Sequence, residues 1–187
     1  MYRTMSQMRI VLLTTCGLAL LPIGVAAFSS PASGQDKKAT ELEIRKAADQ
    51  GDASAQLYLG FLYYQGKGVS QDYAEAVRWF RKAAGQGHVL AQLTLGDMYR
   101  TGQGVPQDYA EAMRWYRQAA GQGDVDAQLN LGHMYRDGKG APEDCVEATR
   151  WYHKAAGQGE VVAGFNLSIM YYIGNKATPN CVEANPR

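Results

Sequence analysis

Three histidines, three cysteines and two Gly-Lys-Gly triplets are the residues of this 187-residue chain with the widest chemical reach. His88, His133 and His153 lie in different local settings. No His-Glu-x-x-His and no Cys-x-x-Cys occurs, so a zinc centre would have to assemble from distant residues. Gly66-Lys67-Gly68 and Gly138-Lys139-Gly140 have neither the upstream glycine nor the following Ser or Thr of a nucleotide-binding loop, and they read as turns. No Ser-x-x-Lys or Lys-Thr-Gly is present, which removes the nucleophile constellation of a serine β-lactamase. The carboxylates recur as Asp72-x-x-Glu75, Asp108-x-x-Glu111 and Asp144-x-x-Glu147, with Asn180-x-x-Glu183 in the same register. That spacing caps helices; it does not pair acids for proton transfer. The expectation is a protein with no catalytic residue, no cofactor and no metal.

Charge narrows the class further. Lys+Arg 19 against Asp+Glu 18 gives +1, too little to hold a phosphate backbone, so nucleic acid is not an expected partner. Residues 1–27 read as a signal peptide. Arg3 and Arg9 precede an apolar run from Ile10 to Ile23, and Gly24-Val25-Ala26-Ala27 offers a small-residue cleavage site. As a helix the run reaches about 21 Å, short of a hydrocarbon core of about 30 Å, and Pro22 interrupts it. The expectation is export to the periplasm or outside the cell, with no integral membrane segment after cleavage. Residues 28–40, small, polar and proline-containing, read as a flexible linker.

What must position any functional side chain is a repeat. Ala-Gln-Leu-x-Leu-Gly begins at Ala55, Ala91 and Ala127, and Trp79, Trp115 and Trp151 keep the same interval of 36. Full units run 51–86, 87–122 and 123–158, with a partial unit 159–187, and Arg45-Lys46-Ala47-Ala48 copies the end of a unit. This period means stacked supersecondary units sharing one core. Ala55, Leu59, Leu62 and Tyr63 place a helix A over Ala53–Gln65, closed by Gly66; Tyr73, Ala76, Phe80 and Ala83 place a helix B over Asp72–Ala84. Gly60, Gly96 and Gly132 fall inside helix A, where glycine costs about 1 kcal/mol. A close approach of helix B, through the pairs Trp79-Phe80, Trp115-Tyr116 and Trp151-Tyr152, accounts for them.

Ala-x-x-x-Leu-Gly-x-x-Tyr-x-x-Gly-x-Gly-Val at Ala55–Val69, followed by Asp-Tyr-x-x-Ala-x-x-Trp-Phe-x-x-Ala-Ala at Asp72–Ala84, resembles the Sel-one-like repeat (SLR) family, relatives of the tetratricopeptide repeats. The resemblance implies an all-α, right-handed superhelical α-solenoid of antiparallel helix pairs. Its concave, A-helix-lined side would bind a partner protein or peptide. It also carries an alternative, since some cysteine-rich relatives have been linked to β-lactam hydrolysis. This chain departs from the pattern in its partial fourth unit, which lacks the tryptophan, and in Cys145 and Cys181, which replace the helix-B tyrosine. Equivalent positions on stacked helices lie roughly 8–10 Å apart, beyond the about 7 Å reach of a disulfide. A tilted last helix would close that gap; two free thiols or an intermolecular bridge are the alternatives.

Comparison between units locates the candidate site. Ser54, Tyr58, Phe61 and Gln65 change chemistry to Leu90, Thr94, Asp97 and Thr101, then to Asp126, Asn130, His133 and Asp137, then to Val162, Asn166, Ile169 and Ile173. Their i, i+4, i+7, i+11 spacing confines them to a stripe about 60° wide. Tyr64, Arg100, Arg136 and Tyr172 share an adjacent position. The candidate partner-binding residues are Tyr58, Phe61, Asp97, Arg100, Asn130, His133 and Arg136, with Tyr58 and Phe61 expected as exposed aromatic anchors. Val162, Phe165, Ile169 and Ile173 leave the last unit apolar, an expectation of self-association through the C-terminal end.

Overall fold

The computed structural model describes residues 34–174, with the side chains of residues 41–170. Among these residues there are eight helices and no strand: α1 (Gly34–Asp49), α2 (Ala53–Gln65), α3 (Tyr73–Gly85), α4 (Val89–Thr101), α5 (Tyr109–Gly121), α6 (Val125–Arg136), α7 (Cys145–Gly157) and α8 (Val161–Gly174). The pairs α2–α3, α4–α5 and α6–α7 share the largest faces, and each pair leans on the next. The result is an α-solenoid whose helices alternate A and B. Helix A occupies its expected bounds, and Asp72 is the cap of helix B and not its first residue. The signal-peptide reading and Cys181 lie outside the described residues. The expected linker overlaps the start of α1, which begins at Gly34.

Local chemistry fixes the helix ends. Asp72, Asp108 and Asp144 accept the backbone N–H of Glu75, Glu111 and Glu147 at 2.9–3.0 Å. The glutamates do not complete the reciprocal half of a capping box; they pair outward with Arg78, Arg114 and Arg150. Gly66 and Gly102 take φ of 68° and 74° just past helix A, a left-handed turn that lets the backbone close on Leu62 and Met98.

The glycine of helix A is a notch for helix B. A Cβ added at Gly60 would stand 2.6 Å from Phe80 Cε1, and one at Gly96 or Gly132 would strike the ring of Tyr116 or Tyr152. Phe80, Tyr116 and Tyr152 are fully buried. They, and not the tryptophans beside them, fill the notch. Trp79 instead packs with Ala48 and Leu59, bridging the preceding B helix and its own A helix, and Trp115 touches the cores on both sides of it.

Polar joints link the units. Gln56, Gln92 and Gln128 are buried and donate to the carbonyls of Ala48, Ala84 and Ala120 in the preceding unit. Each accepts in turn from Gln86, Gln122 or Gln158 at 2.8–3.0 Å. Arg45, Arg81 and Arg117 donate to the hydroxyls of Tyr63, Tyr99 and Tyr135 one helix on, with the guanidinium over the ring. In the fourth unit Gly164 replaces the glutamine and Ser168 the notch glycine. Val161 and Phe165 of α8 are 82% and 66% exposed, and Val162 is exposed to a lesser degree.

Replacing a helical glycine with alanine gains about 1 kcal/mol in propensity, whereas overpacking a core costs about 1–3 kcal/mol. Gly96→Ala is therefore expected to destabilise the chain, and Gly121→Ala, whose Cβ meets nothing within 4 Å, to be neutral or stabilising. Urea midpoints of the two variants check this, and equal midpoints would remove the notch.

Candidate functional site

The variable stripe lies on one side of the A helices, and its residues meet across units. In the first unit the floor is aromatic. Phe61 packs edge-on to Phe80 with centroids 5.0 Å apart, and Tyr64 packs edge-on to Tyr73 at 5.3 Å. Tyr58 is 51% exposed, as expected for an anchor. Phe61 is half-buried, contrary to the sequence expectation, because the notch brings the Phe80 ring up beside it.

In the second unit the same positions become an ionic triangle. Tyr116 Oη donates to Asp97 Oδ1 at 2.9 Å, and Arg100 reaches Asp97 Oδ1 at 3.1 Å and Tyr116 Oη at 3.0 Å. Burial, with the Asp97 charge beside it, raises the Tyr116 hydroxyl well above its ordinary pKa, so it stays a donor. Tyr64 of the first unit donates to Gln103 at 2.9 Å; burial, then the Tyr73 and Asp97 neighbours, raise its pKa too.

The third unit departs again. His133 lies edge-on to Tyr152, 5.6 Å between centroids, and its Nε2 is 3.1 Å from Asn166 Nδ2 of the fourth unit. Arg136 bonds Asp137 Oδ1 at 2.8 Å, and Lys139 holds the other oxygen at 3.3 Å. Burial opposes ionisation of Asp137, yet the Arg136 bond and charge, then Lys139, keep its carboxyl below the ordinary range. Burial, then the Arg136 charge, lower the His133 pKa, so the ring is held neutral; Arg100 of the second unit acts on it in the same sense. Asn130 and Thr94 are half-buried along the stripe, and Asn166 is buried. Ser54 is exposed, and the side chains of Tyr172 and Ile173 lie outside the described residues.

Neighbouring units act on one another along the stripe: the Asp97 charge is felt at Tyr64 and the Arg100 charge at His133, and His133 meets Asn166 directly. Sequence reasoning missed the hydroxyls of Tyr116 and Tyr152, read there only as core bulk. Their signal was present in the repeat: phenylalanine fills the knob where the floor carries Phe61, and tyrosine where it carries Asp97 or His133. Cys145 is buried and disulfide-bonded. No group of three or more His, Cys, Asp or Glu able to hold a metal occurs among the described residues, and no described helix is long and apolar enough to cross a membrane.

Comparison with known proteins places this arrangement. The Sel1 repeat model matches residues 53–88, 89–124 and 125–160. A protective antigen of uropathogenic Escherichia coli with an SLR fold is 46% identical, with a TM-score of 0.68 over 70% of this chain and 28% of its own. A Sel1 repeat protein from Oxalobacter formigenes is 42% identical, with a TM-score of 0.63 over 68% of this chain and 96% of its own. Cysteine rich protein B of Helicobacter pylori is 26% identical, with a TM-score of 0.54 over 72% and 98%. This chain therefore spans 28% of the antigen's length. No curated protein matches it.

Two expectations follow from the geometry. Tyr116→Phe removes a hydrogen bond to a charged group, worth about 1.5–3 kcal/mol, and should lower stability. Tyr152 Oη is buried with no hydrogen-bond partner among the described residues, so Tyr152→Phe should be neutral or stabilising; chemical denaturation of both variants reads the contrast. His133 titrates in the other test. Its folded pKa lies below the ordinary 6.5, so between the two values the unfolded chain binds more protons and stability rises with pH. Stability measured from pH 5 to pH 7 should climb more steeply in the native sequence than in His133→Asn.

Proposed function

Because this chain belongs to the Sel1 repeat family, whose modules in general mediate protein–protein interaction, we propose that it is an exported, non-catalytic scaffold that captures a partner protein or peptide on the concave face of its A helices. The single observation that carries this reading is that, along helix A, the positions that change chemistry between units share one stripe, while the notch glycine, the glutamine ladder and the Arg–Tyr joints recur through the full units. A face freed from the common packing rule, yet ordered by aromatic and ionic contacts, suits recognition through several shallow contacts. Tyr58, Phe61 and Tyr64 supply an aromatic end, and Asp97, Arg100, Asn130, His133 and Arg136 a polar one. Export rests on Arg3, Arg9 and the apolar run that follows them. Exposed Val161 and Phe165 support self-association at the C-terminal end as a secondary property. The near-neutral charge argues for a protein partner and against nucleic acid.

The test is paired capture. Protein carrying Tyr58→Ala and Thr94→Arg, two changes on the stripe, should retain the native helical signal and melting temperature yet lose at least tenfold in partner recovery from extracts of the source cells. Arg78→Ala with Arg114→Ala, on the outer B-helix surface, should leave recovery intact. Equal recovery by both pairs would reject the A-helix face, and nitrocefin turnover by the purified chain would favour the hydrolase alternative.

A further inference from the structure

The second and third units solve the same geometric problem differently, and the difference leaves one buried hydroxyl without a partner among the described residues. In the second, a carboxylate, a phenol and a guanidinium close a triangle, with Asp97 accepting from both Tyr116 and Arg100. In the third, phenol and guanidinium are retained as Tyr152 and Arg136, but His133 stands where the carboxylate stood. The imidazole is committed to Asn166. Tyr152, fully buried as a residue, is left with a hydroxyl that meets no donor or acceptor among the described residues, a costly state for a polar group. Arg136 has swung to Asp137, which Lys139 also holds, so Asp137 stays paired when Arg136 lets go. Arg136, Arg100 and Lys139 act on His133 as positive neighbours and Asp137 as a negative one, with Arg100 itself paired to Asp97.

We propose that Tyr152, Arg136 and His133 form a subsite for one carboxylate of a bound partner, which enters as the His133 ring turns off the Tyr152 hydroxyl and then takes the part that Asp97 plays in the preceding unit. This rests on reading the A-helix face as the partner-binding face, and adds the chemistry that the third unit selects. Tyr152 Oη donates one hydrogen bond to the incoming oxygen, and Arg136, rotated into the position of Arg100, supplies the charged one. An acidic side chain and a chain-terminal carboxylate present the same two oxygens.

The experiment titrates the full chain with three blocked peptides, followed by NMR of the His133 ring and the Arg136 side chain. Acetyl-Ala-Asp-Ala-amide carries a side-chain carboxylate, acetyl-Ala-Asn-Ala-amide none, and acetyl-Ala-Ala-Ala a terminal one. Saturable shifts with either carboxylate peptide and none with the Asn peptide are expected, and the stronger of the two identifies the source. Tyr152→Phe and Arg136→Gln should each weaken binding at least tenfold. His133→Asp should abolish it while raising the melting temperature, because its own carboxylate completes the triangle. Equal shifts with the Asn peptide, no saturable shift, or undiminished binding by His133→Asp would overturn the subsite. Since no partner is needed, failure here with intact paired capture removes the subsite alone, and failed capture with intact titration removes the wider face.

Discussion

A glycine in the middle of the A helix of each full unit forfeits about 1 kcal/mol of helix propensity, and the rest of the molecule is organised by what that loss permits. With no Cβ at Gly60, Gly96 or Gly132, a B-helix ring lies directly against the A-helix backbone. Burying such a ring returns about 1.5–3 kcal/mol, which offsets the glycine and fixes the distance between the two helices. The far end of the ring does more than fill space. It emerges beside the variable stripe, where Phe80 supports an aromatic floor, Tyr116 closes an ionic triangle and Tyr152 leaves a hydroxyl unsatisfied. One core position thereby sets the chemistry of the surface above it.

Between units the joints are polar and buried, an arrangement that specifies register as well as strength. A glutamine amide bonded both to the preceding unit's last turn and to its own unit's end fits only one stacking offset. The Arg–Tyr contacts repeat that constraint at the surface. The joint to the fourth unit departs from it: Gly164 offers no side-chain amide, His153 of the third unit stands in the arginine register, and Ser168 replaces the notch glycine. The same helix exposes Val161 and Phe165, so loosening of the repeat rule and apolar exposure coincide at one end of the described stack.

Periodicity made most of the fold legible. A 36-residue interval, Asp caps before each B helix and glycines after each A helix define the element bounds almost to the residue, because capping and left-handed turns are local physics. The variable stripe was legible for the same reason, since helical spacing alone puts its members on one side. Phe61 was not read correctly. Its burial depends on a ring contributed by another helix, and no local pattern encodes how far that ring protrudes.

By itself, the sequence determined that this chain is a helical repeat, where the helices of the full units start and stop, and which positions escape the common rule, since these follow from local capping and turn chemistry and from comparing one unit with the next. The tertiary structure alone decided which aromatic of each pair enters the notch, that Asp97 is already satisfied while Tyr152 is not, and that Asn166 of the fourth unit reaches back to His133. Those outcomes depend on distances between helices set by side-chain volume, and volume acts only once the helices have met.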